Sequence, residues 1–175
     1  MKSKLIALTF LLSLFLTSCD AIKDLLSFTI SNETSIKIKS TSPINLPTEV
    51  LTPDVTTNSS SEFKNNKTEA GLVKDVKLKS LNLSITNLEG KNFTFLKSIH
   101  LYISTTQSDE IELAYLDDIN STTNRIQLLS SNAKLDKYIK SDKYKIRTQV
   151  TLKETLTKDV TVKADMKFGV TADPF

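Results

Sequence analysis

Alternation of apolar and polar residues with a period of two is the feature that most limits what this chain can become. In "VTVKADMKFGV" the residues Val160, Val162, Ala164, Met166, Phe168 and Val170 share one parity, and in "YKIRTQVTL" so do Tyr144, Ile146, Val150 and Leu152. Successive side chains of a strand point to opposite faces, so this pattern describes strands with one face buried and the other wet. The repeat recurs upstream with Phe28, Ile30, Ile36 and Ile38 in "FTISNETSIKIK" and with Ile99, Leu101 and Ile103 in "SIHLYIS". Shorter candidates are "EIELAYL" around residues 110–116 and "RIQLL" around 125–129. In "VKLKSLNLSI", Val76 and Leu78 lie in one phase while Leu81, Leu83 and Ile85 lie in the other. Such a slip predicts a β-bulge near Ser80. "KETLTKD" reads as the connection of a hairpin between the last two strands.

Helix is scarce. "NAKLDKYIK" offers Asn132 as an N-cap, with Leu135, Tyr138 and Ile139 on one face, and a single turn is expected at "KTEAGLVK". Many short strands, one or two short helical connectors and no alternation of strand and helix predict a mainly β fold, an antiparallel β-sandwich. Residues 40–70 break the rhythm with Pro43, Pro47 and Pro53 and a polar Ser/Asn/Thr tract. Proline cannot donate to a ladder, so a strand at "EVLT" is expected at a sheet edge. The tract reads either as a binding loop or as a polar excursion around that edge strand.

The first twenty residues follow a different grammar. Lys2 and Lys4 open the chain, Leu5 to Leu16 is nearly unbroken apolar sequence, and small Ser18 precedes Cys19, the single cysteine. That is the order of a secretory signal. The apolar run is about a dozen residues, short of the roughly 20 that a helix needs to cross a hydrocarbon core, so a retained span is the weaker reading. The order Leu16, Thr17, Ser18, Cys19 resembles the lipobox of bacterial lipoproteins. The resemblance implies that the Cys19 sulfur takes a diacylglycerol, that the bond before it is cut, and that the new amine is acylated. Two or more acyl chains hold a protein stably, each buried methylene adding about 0.8 kcal/mol. A secreted protein with one free thiol is the alternative.

The expected organisation is therefore a signal peptide at 1–18, a lipidated Cys19 and short tether at 19–27, and one domain at 28–175. Without Lys2 and Lys4 the charges nearly balance, since the whole chain carries 23 Lys and Arg against 20 Asp and Glu. Charges of both signs are interleaved, so no basic block points to nucleic acid. A chain of this size can bury an ordinary core without disulfides.

Catalysis has little to work with. His100 is the only histidine, and it shares a strand face with Tyr102 opposite the apolar set. A zinc site needs several Cys or His ligands, and glycines at 71, 90 and 169 build no phosphate-cradling loop. In "SDEIE", Glu110 and Glu112 share a strand face, while Asp109 points elsewhere or lies in the turn. "LDDINSTTN" puts Asp117, Asp118, Asn120 and Asn124 in one loop. It is oxygen-rich enough to consider calcium but lacks the glycine and terminal glutamate of an EF-hand, and ordinary turn chemistry explains it equally. With no tryptophan and tyrosines only at 102, 115, 138 and 144, the pair His100 and Tyr102 is the candidate ligand-binding site. No catalytic residue, metal site or cofactor is expected.

The Lys/Asn/Ser/Thr-heavy composition, the lipobox and the closing "FGVTADPF" together resemble small lipoproteins of Bacteroidota with immunoglobulin-like β-sandwiches. That resemblance implies a cell-envelope protein held in the outer membrane through Cys19. "CDAIKD", with Lys23 and Asp24, matches surface-export signals poorly, so the periplasmic and the surface-exposed face stay open. The expected role is a non-catalytic structural or partner-binding module acting on an envelope protein, with glycan binding or adhesion as the alternative.

Overall fold

The alternating segments form strands, and their inward residues form the core. In a computed structural model that describes residues 26–173, nine strands are present: β1 (Ser27–Ile38), β2 (Pro47–Leu51), β3 (Val55–Thr56), β4 (Val73–Ile85), β5 (Leu96–Ser104), β6 (Ile111–Leu116), β7 (Arg125–Ser130), β8 (Lys143–Leu152) and β9 (Val160–Ala172). Two short helices accompany them, α1 (Ser59–Asn65) and α2 (Asp136–Ile139). The expected signal segment, Cys19 and most of the tether lie outside the described residues. On β9 every residue of the predicted apolar set is buried, with Ala172 added to it.

The strands pair in the order β1-β9-β4-β7-β6-β5-β8-β2, with β3 also on β8, and every strand pair is antiparallel. β7 joins two halves. Its residues Arg125–Leu128 pair with Ser84–Leu81 of β4, and its last residues, Leu129 and Ser130, pair with Tyr115 and Ala114 of β6. The sheet curls so that its far side meets its start. Tyr144 of β8 packs edge-on against Phe168 of β9, centroids 6.4 Å apart, and its hydroxyl donates to Asn32 Oδ1 of β1 at 3.2 Å. The result is a curled half-barrel around one core.

The β4 slip falls where expected: the register with β9 shifts between Leu78 and Ser80, leaving Lys79 as the extra residue, and a second shift lies between Val73 and Asp75. β2 covers most of "EVLT" and lies at the sheet edge with Pro47 as its first residue, while Pro53 interrupts the chain between β2 and β3. The expected β8–β9 hairpin does not form. β8 pairs with β5, β2 and β3, whereas β9 pairs with β1 and β4, so "KETLTKD" crosses between the halves, anchored by buried Leu156. Alternation tells a strand which face to bury and is silent about its neighbour.

The helical expectations need one correction and one addition. Leu135, Tyr138 and Ile139 are buried as the spacing requires, but α2 begins at Asp136 with Leu135 in the cap position. Asn132 sits before it in the left-handed region, φ 60°. At "KTEAGLVK" the expected single turn forms, closed by Leu72 N–H on the Glu69 carbonyl at 3.0 Å, while a helix that the pattern did not announce lies just before it. The helix of this region is α1, inside the polar tract. Its one large apolar residue, Phe63, is buried against Phe28, and a single apolar residue carries no periodicity to read.

Candidate functional site

The outward residues of β5 are Ser98, His100 and Tyr102, and the register sets their neighbours. His100 lies opposite Tyr115 of β6 and Gln149 of β8, while Tyr102 lies opposite Arg147 of β8. Between Leu101 and Tyr102 the β6 register slips, leaving Leu113 as an extra residue and pairing Tyr102 with Glu112. A bulge re-aims side chains. Here it puts Glu112 within reach of the imidazole, with His100 Nδ1 2.7 Å from Glu112 Oε1. The other ring nitrogen, Nε2, is 3.2 Å from Asp117 Oδ1. Only the doubly protonated ring can donate to both carboxylates.

His100 stands between two tyrosines. Its centroid is 5.8 Å from that of Tyr115 and 6.5 Å from that of Tyr102, each with planes 17° apart. Arg147 covers the Tyr102 ring, its guanidinium carbon 4.0 Å from the ring centroid. The same guanidinium holds Glu110 through two nitrogens, Nε at 2.8 Å and Nη2 at 2.7 Å, and reaches Glu49 of β2 at 3.0 Å. A row of Tyr115, His100, Tyr102 and Arg147 therefore crosses β6, β5 and β8, flanked by carboxylates.

Partial burial works against protonation of His100, but the hydrogen bonds and charges of Glu112 and Asp117 together outweigh it and raise the imidazole pKa above 6.5. The bidentate bond to Arg147 lowers the Glu110 pKa, and the same bond raises that of Arg147. Each charge in the row is thus matched by a neighbour. Among the described residues the hydrogen-bond partners of His100 are the carboxylates of Glu112 and Asp117, so the arrangement orients its ring and charge.

The sequence placed His100 and Tyr102 on one face, and the structure keeps them there. It adds Tyr115, Arg147, Glu112, Asp117, Glu110 and Glu49. The outward parity of Arg147 was readable in "YKIRTQVTL", but its position beside Tyr102 depends on strand order. Glu110 and Glu112 both serve this face. Asp109 is separate, capping the β5–β6 turn by accepting from the Thr105 and Thr106 amides at 2.9 and 2.8 Å and from the Thr105 hydroxyl, with Lys137 at 2.8 Å. These partners, Lys137 first, hold its pKa far below the ordinary carboxylate value. The other tyrosines are structural: Tyr144 is buried in the core, and the Tyr138 hydroxyl donates to the Asp109 carbonyl at 2.6 Å.

In the Asp117–Asn124 loop, Asp117 serves His100, Asp118 adopts φ 49°, and Asn120 donates to the Asp118 carbonyl at 3.2 Å. The Lys153 ammonium reaches the Ile119 carbonyl at 2.6 Å and Asn120 Oδ1 at 2.9 Å. A lysine thus holds one of the candidate side-chain oxygens, that of Asn120, and a neighbouring carbonyl. Among the described residues, no group of three or more His, Cys, Asp or Glu side chains is placed to hold a metal ion.

Neither a protein-family model nor a curated protein matches the chain. Among solved structures, a crystal structure of FLHE aligns over 84% of this chain and 98% of its own, at 6% identity and a TM-score of 0.38. A Desmodium yellow mottle tymovirus structure aligns over 85% and 84%, at 14% identity and a TM-score of 0.30.

Proposed function

We propose that this chain is a cell-envelope lipoprotein, anchored through lipid on Cys19 in the outer membrane, whose single β domain is a non-catalytic structural or partner-binding module. The observation that carries the reading is the sequence Leu16-Thr17-Ser18-Cys19 directly after a charged start and a short apolar run. A saturated His100, with each ring nitrogen against a carboxylate, agrees with a role other than catalysis. We read the curled sheet as an immunoglobulin-like sandwich whose layers share β7, because the β8 half folds back until Tyr144 meets Phe168. The test is metabolic labelling with a fatty acid. Wild type incorporates label and Cys19→Ala does not; equal incorporation defeats the reading.

A second reading, glycan binding or adhesion, is favoured by the aromatic row of Tyr115, His100 and Tyr102 on an outer face. Glycan arrays distinguish it from protein-partner binding, which crosslinking in intact envelopes reports.

A further inference from the structure

The row that attracts attention offers little stacking surface. Tyr102 has His100 beside it and Arg147 over its ring, and Tyr115 has His100 beside it. A sugar laid on Tyr102 would have to displace a guanidinium held by two glutamates.

Next to that guanidinium lies a cavity of about 550 Å³, within the roughly 300–1,000 Å³ of small-molecule sites. It opens where β2 ends: the edge chain leaves β8 after Leu51, passes Pro53, and returns only at Val55, which pairs with Tyr144. Val50 and Ile146 supply apolar lining, and Ser104, Gln107, Asp54 and Lys145 supply polar groups. Ser104 is only 8% exposed, lines this space, and has no hydrogen-bond partner for its hydroxyl among the described residues. Its oxygen still meets solvent, so it is free to donate to or accept from whatever enters the space. The charges around the space balance: Arg147 and Glu110 neutralise each other, and Lys145 and Asp54 add one charge of each sign to the lining. An ionic ligand meets no complementary net charge here. A neutral molecule with groups that both donate and accept suits a serine hydroxyl, an amide, an ammonium and a carboxylate, and its carbon face suits Val50 and Ile146.

We infer that this cavity, rather than the ring faces of the tyrosine row, is the ligand site, and that it takes a neutral saccharide unit. The inference rests on the glycan-binding reading and moves its site. The test probes an array of neutral and acidic glycans with the full chain, then compares variants on the glycans bound. Neutral glycans bind. Ser104→Ala and Gln107→Ala each weaken binding about tenfold, the effect of one lost hydrogen bond, while Tyr115→Ala at the far end of the row leaves it unchanged. Binding lost in Tyr115→Ala but retained in both cavity variants overturns the site and keeps the glycan reading. Preference for acidic glycans overturns the charge argument and so the inference. Binding to no glycan overturns the reading and the inference together.

Discussion

Closure of the curled sheet depends on Tyr144, and its removal in two steps measures that closure. Tyr144→Phe keeps the ring against Phe168 and deletes the hydroxyl that donates to Asn32 Oδ1 at 3.2 Å and lies 3.9 Å from Met166 Sδ. One neutral hydrogen bond contributes about 0.5–1.5 kcal/mol net. Asn32 is partly solvated and keeps a bond from its own amide to Asn58 at 3.2 Å, so its orphaned oxygen adds little. The expected loss is about 1 kcal/mol, or roughly 2–4 °C in Tm for a domain of this size. Tyr144→Ala also empties a site where the side chain is 1% exposed, and deleting a large buried ring costs about 3–5 kcal/mol. Urea denaturation of the full chain reads both variants, and a cycle with Asn32→Ala isolates the pair. A coupling of about 1 kcal/mol supports contact between β1 and β8 across the fold. Zero coupling, with Tyr144→Phe as stable as wild type, would refute the closure, since the two strands are far apart in the sheet order and no ladder joins them.

Three further outcomes follow from the site. The single histidine makes its titration unambiguous by NMR, and its pKa lies above 6.5. The folded state binds that proton more tightly than the unfolded one, so the stabilisation is complete below pH 6.5 and is lost as pH rises through the folded value. Glu112→Gln removes the charge, and with it the charge assistance of the bond, that raise the pKa while burial still lowers it, so the midpoint falls; an unmoved midpoint refutes the Glu112 contact. Lys153→Met removes the bonds to Ile119 and Asn120, so amide exchange across 117–124 should quicken about tenfold, a local loss near 1.4 kcal/mol; unchanged exchange would mean the loop holds itself.

Legibility of the fold from sequence tracked how local each constraint was. The faces of β1, β4, β5, β8 and β9 were written in their alternation, and even the slip at Ser80 was visible because a bulge reverses the phase within one strand. What escaped was pairing. "KETLTKD" is short enough for a hairpin, and only the neighbours of β9, over a hundred positions away in β1 and nearly as far in β4, decide otherwise. The site divides the same way. His100 and Tyr102 are two residues apart and were found together, whereas Arg147 and Glu49 arrive through β8 and β2. Ser104 gave no signal, since a serine closing an apolar strand reads as its polar end until burial shows otherwise.

Antiparallel order also decides which end of the domain an anchor at Cys19 would hold near the membrane. β1 starts at Ser27 and runs twelve residues, about 40 Å when extended. Pairing in alternate directions puts the β2–β3 link, the β5–β6 turn and the start of β8 at the end where β1 begins, and the 39–46, 117–124 and 153–159 loops at the other. Ser104, Gln107, Asp54 and Lys145 therefore lie toward the end where β1 begins, and an extended segment from Cys19 to Phe28 would reach at most about 30 Å. A saccharide on a glycan displayed from the same membrane would meet the cavity at high effective concentration, while a free saccharide would be indifferent to the tether. Lengthening the chain after Asp20 with a long Gly/Ser insert should weaken binding to neutral glycans displayed on the host vesicle severalfold and leave affinity for the free glycan unchanged. Unchanged binding to displayed glycan would mean that proximity contributes nothing and the short tether is incidental. Equal loss for displayed and free glycan would mean that the insert disturbs the domain itself, and that β1 depends on the residues before it.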